Sequence, residues 1–123
     1  NASGGEKVGL ITESVMPDKV RMTVLDKDGR AAAGATVKCY PVYGYSNAVK
    51  DTPQYEGTVS DEGYFHISSK AFFKPGTSDH VTNFLVEVEH QGVKSYDWMP
   101  MYKAMEYEMT YRTNEYQYTF QMV

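Results

Sequence analysis

At 123 residues, 41% hydrophobic and 23% charged, the chain is sized and composed for one globular domain that folds without disulfide or metal support. Its net charge of −4 and scattered basic residues leave no stripe to neutralise phosphates, which argues against nucleic-acid binding. No apolar run approaches the roughly 18 residues a spanning helix needs, and a single cysteine, Cys39, excludes an intrachain disulfide.

The opening Asn1-Ala2-Ser3-Gly4-Gly5 is small and polar. Residues 1–7 are therefore read as a flexible segment and 8–123 as a single β-sandwich domain. A processed N-terminus, a linker or a domain boundary would all begin this way. Residues 8–13 are predicted as a first edge strand, ended near Pro17-Asp18. Residues 19–25 alternate, with Val20, Met22 and Val24 on one face and Arg21 and Thr23 on the other. Asp26-Lys27-Asp28-Gly29 reads as a turn. In the strand predicted over 35–43, Ala35, Val37 and Cys39 share one face, and Thr36, Lys38 and Tyr40 the other. Cys39 is thus a small buried hydrophobe and not a nucleophile. Residues 43–54 form a long loop with Tyr43 and Tyr45.

Strands over 55–60 and 64–69 flank Asp61-Glu62-Gly63, which predicts a hairpin. A second loop, 70–79, carries Phe72 and Phe73. The clearest strand is 83–90, where Phe84, Val86 and Val88 alternate with Leu85, Glu87 and Glu89. Gln91-Gly92 turns it into 93–99, in which Tyr96 and Trp98 share a face, and Pro100 ends that strand. Tyr116, Tyr118, Phe120 and Met122 alternate with Gln117, Thr119 and Gln121. Tyr107, Met109 and Tyr111 alternate in the same way, so a terminal hairpin turning at Thr113-Asn114 is predicted, with a helical turn over 103–108 as the alternative. No helix of convincing length is predicted. The whole reads as all-β: an Ig-like or transthyretin-like antiparallel two-sheet sandwich of about seven to nine strands.

Three motifs go further: Asp26-x-Asp28-Gly29, Gly34-Ala35-Thr36-Val37, and Thr58-x-Ser60-Asp61-Glu62-Gly63-Tyr64-Phe65. Together they resemble the carboxypeptidase regulatory-like domains, the transthyretin-like (prealbumin-like) β-sandwiches of bacterial cell-envelope proteins. The resemblance covers residues 20–88. It departs from the family where Ala32 or Ala33 replaces a common Pro, where Ser60 replaces Thr, and where the 61–63 turn is shorter. It implies a non-catalytic accessory module, exported to the periplasm or cell surface. In that family such modules stand beside peptidases, at the N-terminus of outer-membrane transporters, or alone as envelope lipoproteins with a lipid anchor upstream.

Chemistry-bearing patterns are few. His66, His80 and His90 lack metal-ligand spacing. Asp26-x-Asp28-Gly29 imitates the start of a calcium loop, but Arg30 stands where an oxygen ligand belongs. There is no nucleophile elbow and no phosphate-binding glycine loop. Glu87 and Glu89 share what reads as the solvated face of a strand. The expectation is therefore no enzyme and no cofactor. The surviving signal is aromatic: 11 Tyr against five Phe and one Trp, a residue that suits half-buried strand faces first and binding surfaces as well. Phe72 and Phe73 lie in one loop, and Tyr96, Trp98 and Tyr102 surround Pro100. Tyr43, Tyr45, Trp98 and Tyr102 are the candidate ligand-binding residues. They would recognise another envelope protein or, alternatively, a carbohydrate, since tyrosine and tryptophan serve both. Packing between the sheets competes for the same side chains. An exposed edge over 116–122 would also allow pairing with a second copy.

Overall fold

The computed structural model describes residues 15–44 and 48–123; residues 1–7, the strand expected over 8–13, and Tyr45 lie outside the described residues. Alternating apolar residues build seven strands there: β1 (Lys19–Leu25), β2 (Thr36–Tyr43), β3 (Tyr55–Thr58), β4 (Tyr64–Ser68), β5 (Val81–His90), β6 (Val93–Pro100) and β7 (Glu115–Gln121). A helix, α1 (Met101–Tyr111), lies between β6 and β7. The strands form a two-sheet sandwich, one sheet ordered β4-β1-β7 and the other β3-β2-β5-β6. β1 pairs antiparallel with β4 but parallel with β7.

The period of two gives each strand one apolar face. Val20, Met22 and Val24 of β1, Val37 and Cys39 of β2, Phe84, Val86 and Val88 of β5, and Phe120 of β7 are all fully buried between the sheets. Ile67, Met99 and Met101 complete that layer. These are the faces that the alternation predicted.

Two expectations fail. The segments around Asp61-Glu62-Gly63 do not form a hairpin, because β3 pairs with β2 while β4 pairs with β1. The chain changes sheet at this turn. Val59 plugs the core there, and its backbone exchanges hydrogen bonds with Gly34 and Ala35 at 2.9 Å. Gly63 turns the chain at φ +93°; a Cβ there would sit 2.7 Å from the Ala31 Cβ, so the close approach requires glycine. The turn is closed locally, by the Gly63 N–H to the Ser60 carbonyl and the Ser60 N–H to the Tyr64 carbonyl, without a strand pair behind it.

The second failure is the terminal hairpin: residues 101–111 form a helix of 11 residues, which takes the alternative of a helical turn over 103–108 and extends it at both ends. Tyr107, Met109 and Tyr111 do alternate, but Met101, Ala104, Met105 and Glu108 recur at i, i+3, i+4 and i+7, and that face is the buried one. Pro100 precedes the first turn, and Arg112 ends the helix in the left-handed region at φ 52°. The hairpin turn expected at Thr113-Asn114 is therefore absent: the chain bends there from α1 into β7, with Asn114 at φ 64°. No helix of the described residues is long and apolar enough to cross a membrane.

Glu108 locks this corner. Its buried carboxylate accepts the Asn114 N–H at 2.8 Å, and the Asn114 carbonyl accepts the N–H groups of Asp18 and Lys19 at 2.9 and 3.3 Å. The start of β1 is thereby held beside the start of β7.

Candidate binding face

The outer face of the four-stranded sheet follows from register. Gln91 and Gly92, both at positive φ, make a two-residue turn that sets His90 opposite Val93. Every later pair is then determined: Glu87 faces Tyr96 and Leu85 faces Trp98. Across the other side of β5, Lys38 faces Glu87 and Tyr40 faces Leu85. Two rows result on one surface, Lys38–Glu87–Tyr96 and Tyr40–Leu85–Trp98, with Thr36–Glu89–Lys94 beyond them.

Tyr96 and Trp98 are 55% and 46% exposed, whereas Tyr40 and Leu85, on the two strands inward from them, are half-buried. The Tyr96 hydroxyl donates to Glu87 Oε1 at 3.2 Å, and Lys94 Nζ lies 3.9 Å from Glu87 Oε2. Desolvation first, and then the bond to Glu87, hold the Tyr96 phenol above its ordinary pKa. Glu87 is nearly buried, so its charge is screened from solvent by Tyr96 and satisfied locally. The backbone of Trp98 is also fixed: its N–H donates to Asp97 Oδ1 at 2.8 Å. Tyr118, reaching across from β7, donates its hydroxyl to Asp97 Oδ2 at 2.8 Å and to the Trp98 carbonyl at 3.3 Å. The indole is presented from a rigid strand.

The outer face of the three-stranded sheet is different in kind. It carries Lys19, Arg21, Thr23, Tyr64, His66, Glu115 and Gln117. Arg21 and Glu115 find partners on the same face. The Arg21 guanidinium sits 4.0 Å over the Tyr64 ring, and His66 Nε2 lies 3.2 Å from Glu115 Oε2. None of the described exposed large hydrophobic residues is on that face.

The three predicted residues that lie within the described residues, Tyr43, Trp98 and Tyr102, do not come together. Trp98 stands at the β6 end of the row Tyr40–Leu85–Trp98, on the edge strand. Tyr102 is 53% exposed but belongs to the first turn of α1. Tyr43 is half-buried at the end of β2, where its hydroxyl donates to Gln54 Oε1 at 2.8 Å; Gln54 Nε2 in turn donates to the Phe73 carbonyl at 2.8 Å. Burial raises the Tyr43 phenol, as suits a loop brace more than a contact residue. Tyr45 lies outside the described residues. Phe72 and Phe73, in the loop read as an aromatic surface signal, are buried in the core. Tyr40 and Leu85 were not singled out, although the turn at Gln91-Gly92 and the alternation of β2 carry the register that finds them.

Other candidate chemistry is accounted for by structure. Asp26 Oδ1 accepts the N–H groups of Asp28 and Arg30, both at 2.9 Å, so the calcium-like run is a self-braced turn. The Arg30 N–H, the largest contribution, holds the Asp26 carboxyl below the usual range. Burial pushes the Cys39 thiol up to about 12, far from a thiolate nucleophile. Among the described residues, no three His, Cys, Asp or Glu side chains are grouped to hold a metal ion.

No protein-family model and no curated protein matches the chain. Among solved structures, it is similar to a 9R-lipoxygenase from Cyanothece PCC8801, with a TM-score of 0.48 and 10% identity. The match covers 97% of this chain but spans only 20% of the lipoxygenase. A likeness that distant carries no functional argument.

Proposed function

We propose that this chain is a non-catalytic recognition module of an exported bacterial envelope protein, and that it binds another protein through the outer face of its four-stranded sheet. The observation that carries the reading is the row Tyr40–Leu85–Trp98 beside an exposed Tyr96. Exposed Trp and Tyr on a rigid strand are the residue types that anchor protein interfaces. They are rimmed by Lys38, Lys94, Glu56 and Glu89, which matches an apolar centre with a polar edge. Four strands about 4.8 Å apart and roughly 25 Å long present a face of about 500 Å². That is less than the roughly 800 Å² per partner of a standard interface, so a modest, reversible contact is the fit. The envelope setting is supported by the resemblance of residues 20–88 to carboxypeptidase regulatory-like domains.

The test is capture from a bacterial envelope extract by the immobilised chain, compared with Trp98→Ala/Tyr96→Ala and with Arg21→Ala on the opposite face. The reading expects a captured protein that is lost with the first variant and kept with the second. Capture that survives loss of both aromatics overturns it. Titration with oligosaccharides, followed by Trp98 fluorescence, separates the alternative: saturable sugar binding with no protein captured would replace the protein reading with a carbohydrate-binding one.

A further inference from the structure

β6 is the longest edge strand among the described residues, at eight residues against seven, five and four for β7, β4 and β3. A long edge with exposed aromatic side chains is a template for another strand. The two-residue turn at Gln91-Gly92 makes His90–Val93 the first hydrogen-bonded pair with β5. Hydrogen bonding then alternates, so Lys94, Tyr96 and Trp98 direct their N–H and C=O groups away from β5, towards the open side.

At Trp98 that open side is filled. Its N–H is taken by Asp97 Oδ1 and its carbonyl by the Tyr118 hydroxyl, which is itself held by Asp97 Oδ2. Both oxygens of one carboxylate and one phenol thus occupy the last pair of free edge groups. Asp97 is also an exposed charge on an edge strand, opposite the buried Val86 and on the same side of β6 as the buried Ser95 and Met99. A strand laid along β6 would have to bury that charge.

We propose that the Asp97–Tyr118 clasp closes the β6 edge, and that with the clasp removed β6 pairs antiparallel with β6 of a second copy. Centring the pair on Tyr96 is the register in which all three open residues meet one another. Tyr96 then faces the partner's Tyr96, and Trp98 faces the partner's Lys94, setting an ammonium beside an indole. The clasp keeps the aromatic face on a monomer, whatever partner that face takes.

The experiment is sedimentation velocity on the full chain across protein concentrations up to about 100 µM, where mass action favours any weak dimer. The wild-type chain is expected to be monomeric, and Asp97→Ala/Tyr118→Phe to dimerise at least roughly tenfold more tightly. Adding Tyr96→Pro, which removes the central edge N–H and jams the pairing, should return the monomer. Circular dichroism and a cooperative melt verify that each variant is folded. Should the double variant not fold, Asp97→Ala alone keeps the Tyr118 ring and frees the Trp98 N–H, and the same shift is expected in smaller measure. A folded clasp variant that stays monomeric, or a dimer that survives Tyr96→Pro, overturns the proposal.

Discussion

The hydroxyl of Tyr55 donates to the carbonyl of His66 at 3.0 Å, joining the edge strand of one sheet to the edge strand of the other. The Tyr55 ring meanwhile stacks on Phe65 with centroids 5.7 Å apart. On the far side of the sandwich, Tyr118 makes the reciprocal crossing from β7 to β6. Each open side of the sandwich is therefore sealed by a tyrosine. The ring excludes water from the core, and the hydroxyl satisfies a carbonyl that sheet pairing leaves free. This is one structural use of the tyrosine-rich composition, alongside the ring contacts that Tyr107 of α1 makes with Tyr111 and with Tyr116 of β7.

Truncating the two functions of Tyr55 should separate them. Tyr55→Phe keeps the ring and loses the hydrogen bond, at about 1 kcal/mol. Tyr55→Ala loses the stack on Phe65 as well, at about 3 kcal/mol, judged from other aromatic-to-alanine changes. Urea denaturation measures both. Equal losses in the two variants would assign the hydroxyl, and not the ring, as the seal.

Glu108 is expected to matter for its acceptor more than for its charge. Glu108→Gln retains an oxygen for the Asn114 N–H, and should cost less than about 1 kcal/mol. Glu108→Ala removes that part-buried hydrogen bond and opens a cavity under α1, at about 2–3 kcal/mol. Because Asn114 also holds Asp18 and Lys19, amide exchange at those two positions should quicken in the alanine variant alone. A glutamine variant as weak as the alanine one would point to the charge instead.

Trp98 is the chain's one tryptophan, so intrinsic emission reports the candidate face directly. With 46% of the side chain exposed, emission should be red-shifted and readily quenched by acrylamide. Trp98→Ala should change stability by no more than about 1 kcal/mol, because the residue is 46% exposed on an edge strand. Emission that is blue-shifted and resists quenching would put the indole in the core and remove the docking face with it.

How much of this was legible beforehand depended on whether local pattern or distant packing decides. In β1 and β5 the alternation of Val20, Met22 and Val24, and of Phe84, Val86 and Val88, is itself the cause of burial, so faces could be read. The turn at Asp61-Glu62-Gly63 looked like a hairpin because its local hydrogen bonds are those of a tight turn. What sends β4 to the other sheet is Val59 in the core and the contact of Gly63 with Ala31, which are tertiary. Residues 101–111 fit two periods at once, and only the packing of Met101, Ala104 and Met105 selects the helix. Phe72, Phe73 and Tyr43 lay in loops by sequence, but a loop position does not dictate exposure. Tyr96 and Trp98 were visible as a shared face; Tyr40 and Leu85 joined them only once strand order was known.

Alkaline pH should weaken the fold, beginning with Cys39. Burial raises its thiol from 9.0 to about 12 in the folded state. Between those values the unfolded chain releases a proton that the folded chain keeps, so the unfolded state binds fewer protons and stability falls as pH rises. The contribution is intact below about pH 9 and is lost above it, at no more than about 1.4 kcal/mol per pH unit for one group. Burial also raises the phenols of Tyr43, Tyr55, Tyr116 and Tyr118 above 10.0, which steepens the loss from pH 10 upwards. Cys39→Ala should lower the baseline through its small cavity, yet decline less steeply between pH 9 and 10 than the wild-type chain, because only the phenols then contribute. Unfolding free energies at half-unit steps of pH measure the difference. The same burial predicts that a disulfide reagent labels Cys39 only as fast as the chain unfolds. Labelling of the native chain at the rate of a free peptide thiol, or identical pH profiles for the two proteins, would mean that Cys39 does not sit dry between the sheets.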